Sequence, residues 1–375
     1  MTTARENLIA ALEGEIPEVI PFSFLGDFLT TDPAWDRLMD QGLCPVLWTA
    51  STRQVMPADI ERVLEPVRWK GYAGERLSLR TPVGTISQVS IYGEKPEYLI
   101  DTPSQPLWAW SSSMWPWNLM RDEGWVQEYF LKTPADYRVM EYVIRHTIIE
   151  PAPEIFLKAE LNVGDRGVSI ILASRSPMQS ILVDFAGLER FTYHLADGFP
   201  ELFALADALM DQLLHTCELI AMGPGRYVEL LENLTAESWG PKRFAQYHLP
   251  VYQRVFSILH AGGKKILAHF DGKLACLSSL ISKTDLDGIE SLTQPPEGDM
   301  SYAEARAAWP GKFFWGNIPV SLYNLPPDEL KRMVGEMAQQ AAPDGRLLAF
   351  EISEDLPYNW RESIPVVLDT LADLK

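Results

Sequence analysis

Short apolar runs alternate with amphipathic stretches through the last two thirds of the chain, and no other feature bounds the fold so tightly. Tyr227–Leu231 leads to a helix over 241–262, and Lys265–His269 to one near 273–283. Leu286–Glu290 leads to a helix near 301–308, Phe313–Gly316 to one over 327–341, and Leu347–Glu351 to one over 362–374. Earlier helical patterns at 134–147, 185–196 and 199–220 surround a strand at 168–173. In 241–262, Phe244, Tyr247, Val251, Val255, Ile258 and Leu259 fall at three-to-four spacing and form one buried stripe, which Gly262-Gly263 terminates. In 327–341, Pro327 suits the first turn, and Asp328 and Glu329 complement the positive end of the helix dipole. Apolar strands alternating with amphipathic helices imply a parallel sheet covered by helices. Spread over this length without a GxGxxG, the pattern predicts an α/β fold, a (β/α)8 TIM barrel.

The N-terminal part adds a helix over 4–13 ending at Gly14 and strands at 20–24 and 45–48. Residues 61–100 change texture. Val67-Arg68-Trp69-Lys70 and Leu77-Ser78-Leu79-Arg80 alternate as half-buried antiparallel strands do, and Thr81-Pro82-Val83-Gly84-Thr85 reads as a turn. This is a β-meander inserted in the barrel. A segment with Trp108, Trp110, Trp115, Trp117 and Trp125 follows, suited to a lid, a homodimer surface or substrate contact. We expect residues 1–375 to form a single barrel domain with 61–130 as an insertion or lid.

Bulk properties exclude several classes of function. A net charge of -19 repels phosphate backbones and anionic lipid, so neither nucleic acid nor a membrane surface is an expected partner. Cys44, Cys217 and Cys276 are odd in number, far apart and without a CxxC, which argues against a disulfide scaffold and a zinc ribbon. The first residues lack the apolar run of a signal peptide, and no stretch reaches about 18 continuous apolar residues. The expected location is the cytoplasm.

A parallel barrel carries its chemistry at the C-terminal ends of its strands. Polar residues there are Arg175 and Gln179 after 168–173, Glu232 and Asn233 after 227–231, and His269 and Asp271 after 265–268. Glu290 closes 286–289, Asn317 follows 313–316, and Glu351 and Glu354 follow 347–350. Acids and a histidine converging from separate strands are the material of a divalent metal site or a general acid/base site. Each has a plainer alternative. His269 could bond a backbone carbonyl; Asp271-Gly272 is also turn chemistry; Glu354 could open a helix. Glu290 needs a metal, a base or an arginine, because an unpaired buried carboxylate costs several kcal/mol. Pro250 breaks the backbone ladder of the 241–262 helix, which places His248 at the true helix start, facing the mouth.

The runs Glu232-Asn233, Tyr247-His248-Leu249-Pro250, Leu267-Ala268-His269-Phe270-Asp271-Gly272 and Asp287-Gly288-Ile289-Glu290 resemble the uroporphyrinogen decarboxylase superfamily. So do Pro295-Pro296-Glu297-Gly298-Asp299 and the opening Arg5-Glu6-Asn7, Gly14 and Ile20-Pro21. The resemblance implies a (β/α)8 barrel and two chemistries. The decarboxylases carry an arginine-rich loop after the first strand to grip acetate groups; here that place reads Phe22-Ser23-Phe24-Leu25-Gly26-Asp27-Phe28. The other branch comprises zinc-dependent methyltransferases that feed corrinoid proteins. Its His-x-Cys is matched at His269, with Asp271 in the cysteine's place, and the O-demethylase set of ligands falls on Asn233, His248 and His269.

The resemblance thus implies a metal-assisted methyltransferase moving a methyl group from a small, aromatic O-methyl donor to a corrinoid protein. His248 and His269 would be nitrogen ligands of zinc, with Glu290 or Glu354 as the oxygen ligand. Asp271 would ligate or orient His269, and Asp271 and Glu290 are the catalytic acids. Trp115, Trp117, Arg175, Asn233 and Asn317 would contact substrate. Two alternatives stay open: a metal-free decarboxylase or lyase for a small carboxylic acid, and a non-catalytic binding barrel.

Overall fold

The computed structural model describes residues 2–29, 31–92, 124–352 and 356–374. Eight parallel strands close into a barrel. In chain order they are β1 (Phe22–Leu25), β2 (Leu43–Thr49), β3 (Val168–Ala173), β4 (Tyr227–Leu230), β5 (Lys265–His269), β6 (Gly288–Leu292), β7 (Phe313–Ile318) and β8 (Leu348–Ile352). Each pairs with its chain-order neighbours, and β1 pairs with β8, Ser23 standing opposite Glu351. The (β/α)8 architecture read from the alternation is the one observed.

Side chains two apart on a strand share a face, so each strand sends alternate residues into the barrel. The lower interior is apolar: Val46, Val168, Ile170, Tyr227, Leu267, Phe313, Trp315 and Ala349 pack together. The helix Ala4–Glu13 closes this floor with Leu8, Ala11 and Leu12. Local sequence sets its ends. Thr3 and Glu6 form a reciprocal capping box, and Gly14 takes a left-handed φ of 78°, which a side chain would resist. The outer ring of helices buries a separate, larger core against the strands' outward faces.

The helix expected over 241–262 is two helices, Ala236–Tyr247 and Leu249–Ala261, which meet at His248. Pro250 lies in the first turn of the second, where its missing N–H costs nothing. The reading of His248 as a helix start therefore agrees with the structure. The helix near 273–283 shrinks to short turns over Ala275–Leu277 and Ser278–Ile281. A π-helical turn, Ile181–Ala186, precedes the helix Leu188–Ala196.

The insertion lies between β2 and β3. Strands Glu61–Trp69, Tyr72–Thr81, Gly84–Tyr92 and Gly124–Glu128 form an antiparallel meander; the first three lie in the region whose alternation predicts it, and the fourth lies outside that region. Lys70 (φ 49°) and Gly71 (φ 95°) make its first tight turn. A second, two-stranded ladder joins Thr52–Val55 to Ile148–Pro151. Among the described residues no helix is long and apolar enough to cross a membrane.

Candidate metal centre

Above the apolar floor the barrel interior turns polar. β4 sends Glu229 inward between Tyr227 and Leu231, β5 sends His269, β6 sends Glu290 and β8 sends Glu351. Strand register explains why they meet: His269 and Glu290 are direct partners across β5 and β6. His269 Nδ1 lies 2.5 Å from Glu290 Oε2, with both side chains at most 5% exposed. One ligand atom from each of Glu229, His269 and Glu290 can be chosen so that all lie within 4.8 Å of one another. Trp48 donates its indole N–H to Glu229 Oε2 at 3.1 Å.

Burial and charge together set the protonation of this group. Burial pulls the His269 imidazole down, but the Glu290 charge and contacts to Glu290 and Asp271 override it and hold His269 well above the ordinary value. Burial pushes Glu290 up, yet His269 and hydrogen bonds from Glu229 and Glu351 hold it low. Glu229 is driven well above the ordinary carboxylate range, first by burial and then by the Glu290 charge. The same causes raise Glu351. The resulting pattern favours charge on His269 and Glu290 and the protonated form of Glu229 and Glu351. Without protons, Glu229 Oε1 and Glu351 Oε1 have no hydrogen-bond donor, so each requires either a proton or a cation.

The donor set fits a divalent ion: one imidazole nitrogen and buried carboxylate oxygens, with no sulfur. Such a set suits zinc, and also manganese, iron or cobalt. Glu229, His269 and Glu290 would hold the ion, and Glu351 is placed for a further oxygen contact with the group.

The residues anticipated from sequence divide. His269 and Glu290 come together at the centre. Asp271 stands at the rim, its Oδ2 3.7 Å from His269 Nε2 and its side chain 37% exposed. Arg175 and Asn233 stand beside it, with Arg175 Nη2 donating to Asn233 Oδ1 at 2.7 Å. Asn317 is engaged structurally: its amide donates to Ser291 Oγ at 2.7 Å and Thr293 Oγ1 at 3.1 Å, bracing β6 where Ser291 takes φ 61°. Glu354, Trp115 and Trp117 lie outside the described residues.

His248 is not brought into the Glu229–His269–Glu290 group. It sits fully buried among Trp239, Phe244 and Tyr252, its Nδ1 3.0 Å from Ser176 Oγ. Glu232 accepts from the same hydroxyl at 2.9 Å and from the Ser176 N–H at 3.0 Å. Burial lowers the His248 imidazole to about 3 and raises Glu232 to about 7. Helix geometry accounts for this placement: the break before Pro250 turns His248 into the space between the two helices.

Sequence reasoning did not single out Glu229. A signal was present, since in Tyr227-Val228-Glu229-Leu230-Leu231 the glutamate shares its face with Tyr227 and Leu231 on an otherwise apolar strand. A groove on the outer flank, between Asp32–Met39 and Asn162–Arg166, shares no residue with the centre.

Among solved structures the chain is similar to a methyltransferase from Methanosarcina mazei, at 12% identity over 99% of this chain and 98% of that one, with a TM-score of 0.53. That likeness concerns the fold. A structure of the pneumococcal exo-β-D-N-acetylglucosaminidase StrH aligns over 94% of this chain and 83% of its own at 11% identity, but its TM-score of 0.36 carries no argument. No family model and no curated protein matches the chain.

Proposed function

We propose that this chain is a metal-dependent methyltransferase that takes a methyl group from a small, aromatic O-methyl donor and delivers it to a corrinoid protein. The observation that carries the reading is the buried cluster of Glu229, His269 and Glu290, contributed by three adjacent strands at the end of the barrel where such folds do chemistry. The barrel shared with the Methanosarcina mazei methyltransferase supports it, as does the family resemblance read from the motifs around His269 and Glu290. A bound zinc ion would supply Lewis acidity toward an ether oxygen.

The protein's own residues supply the rest. Glu229, His269 and Glu290 fix the donor atoms, and Trp48 orients Glu229 through its indole N–H. Ala50, Leu172, Leu231 and Trp48 pack together on the β2–β3–β4 side and offer an apolar wall for an aromatic ring. Asp271, the partly exposed carboxylate at the rim, which His269 holds low despite burial, would orient that imidazole. A net charge of -19 favours a partner with a basic docking patch, and the expected location is the cytoplasm.

The test is elemental analysis of the purified protein, followed by incubation with an aryl methyl ether and Co(I) cobalamin. We expect about one ion per chain, its loss in His269→Ala, and the absorption change of methylcobalamin. Wild-type protein with neither metal nor methyl transfer refutes the proposal.

A second reading has its own support, because His269 and Glu290 already pair with each other beside two carboxyls that burial drives toward the protonated form. Such a group could run metal-free acid/base chemistry on a small carboxylic acid, with Asp271 and Glu290 as the pair. That enzyme would release CO2 in the presence of a chelator.

A further inference from the structure

Beside the centre, a line of polar contacts runs from a π-helical turn to His269. Asp184, on the turn Ile181–Ala186, accepts from Arg175 Nη1 at 3.1 Å. Arg175 spends its other terminal nitrogen on Asn233 Oδ1 at 2.7 Å. Asn233 is also one of the groups that hold the Asp271 carboxyl low despite burial, and the Asp271 carboxylate faces His269 Nε2 at 3.7 Å. On its far side, His269 holds Glu290 through Nδ1.

The local backbone is built to aim Asn233. It takes a left-handed φ of 46°, a conformation asparagine tolerates better than most residues. The Gln179 amide clamps the loop by donating to the carbonyls of Glu232 and Asn233, at 2.5 and 2.8 Å. Trp239 Nε1 in turn fixes Gln179 Oε1 at 2.6 Å. A residue with left-handed backbone, braced from beneath and held at Oδ1 by Arg175, is fixed in its orientation.

We propose that Asn233, anchored by Arg175, is the positioning residue of the centre: it fixes Asp271 against His269 Nε2 and so holds the imidazole with Nδ1 toward Glu290. The inference rests on the metal-binding reading above. Asn233 acts through Asp271 and needs no contact with the ion or the substrate. Partners of this kind are worth about 10–100-fold in metal affinity.

The experiment is calorimetric titration of zinc into metal-free, full-length protein as a double-mutant cycle of Asn233→Gly and Asp271→Asn. Glycine accepts the positive φ, so the first substitution removes the amide without straining the loop. We expect Asn233→Gly to weaken zinc binding about 10–100-fold while circular dichroism stays native. In the Asp271→Asn background the same change should cost little further, since the route from Asn233 to His269 is already cut. Arg175→Met, the second variant, should reproduce the loss and the same dependence on Asp271. Unchanged affinity in Asn233→Gly, or effects that add independently, overturn the proposal. A wild-type protein that takes no zinc overturns the metal reading as well, so the two failures are told apart.

Discussion

Substituting Glu290→Gln in metal-free protein probes the charge pattern on which the site reading depends. Glu290 pairs with His269 at 2.5 Å, and neither side chain is more than 5% exposed. With Glu290 ionised, the His269 proton-binding value lies well above its ordinary 6.5. A raised folded value adds stability that is complete below the unfolded value and fades as pH climbs through the folded one. In the variant the Glu290 charge and hydrogen bond are gone, and burial is opposed by Asp271. The imidazole therefore loses the larger part of its support, and with it the stability that the wild type gains on acidification. As pH falls toward 6.5 the wild type gains about 1.4 kcal/mol for each unit by which Glu290 raises the folded value, a gain the variant lacks. The destabilisation should therefore grow on acidification, toward the ~3–5 kcal/mol typical of a broken buried pair. Urea denaturation of both proteins as pH falls, with chelator present, measures it. A difference that stays flat and under about 1 kcal/mol would show that the pair is not charged and buried.

Three further outcomes follow from the structure. Zinc binding should release protons, because burial and the Glu290 charge favour the protonated form of Glu229, and Glu290 and Asp271 that of His269; titrations in buffers of different ionisation heat detect the release, and none at any pH refutes the assignment. Glu232, raised by burial to about 7 from 4.5, makes the wild type lose about 3 kcal/mol as pH rises between those values. Glu232→Gln has no proton to shed there, so its denaturation curve should be flatter with pH; an unchanged slope contradicts the assignment. Leu12→Ala opens the barrel floor and should cost about 2–5 kcal/mol in thermal or urea unfolding, while zinc content per folded chain stays at the wild-type value.

The barrel could be read in advance because its signal is repeated: strand after strand is apolar where both faces are covered, and the helices carry clear stripes. Where single residues decide the outcome, the reading was less complete. Glu229 looked like an ordinary strand residue because its importance comes from closure of the barrel, which sets it beside His269 and Glu290. His248 was placed at a helix start from Pro250, but which neighbours that start faces depends on how two helices pack. Asn317 ends a strand as a substrate-binding residue would, yet the turn of β6 at Ser291 draws its amide away. Strand order tells which residues can meet; side-chain geometry decides which do.

The floor of the barrel couples distant parts of the chain. Leu8, Ala11 and Leu12 need Ala349 of β8 and the neighbouring strands to cover them, across a span of roughly 340 residues. A nascent or clipped polypeptide lacking β8 leaves the greasy side of that N-terminal helix wet, and such a fragment is prone to self-association. Loss of that last strand by proteolysis near residue 347 should uncover part of the apolar side of the N-terminal helix.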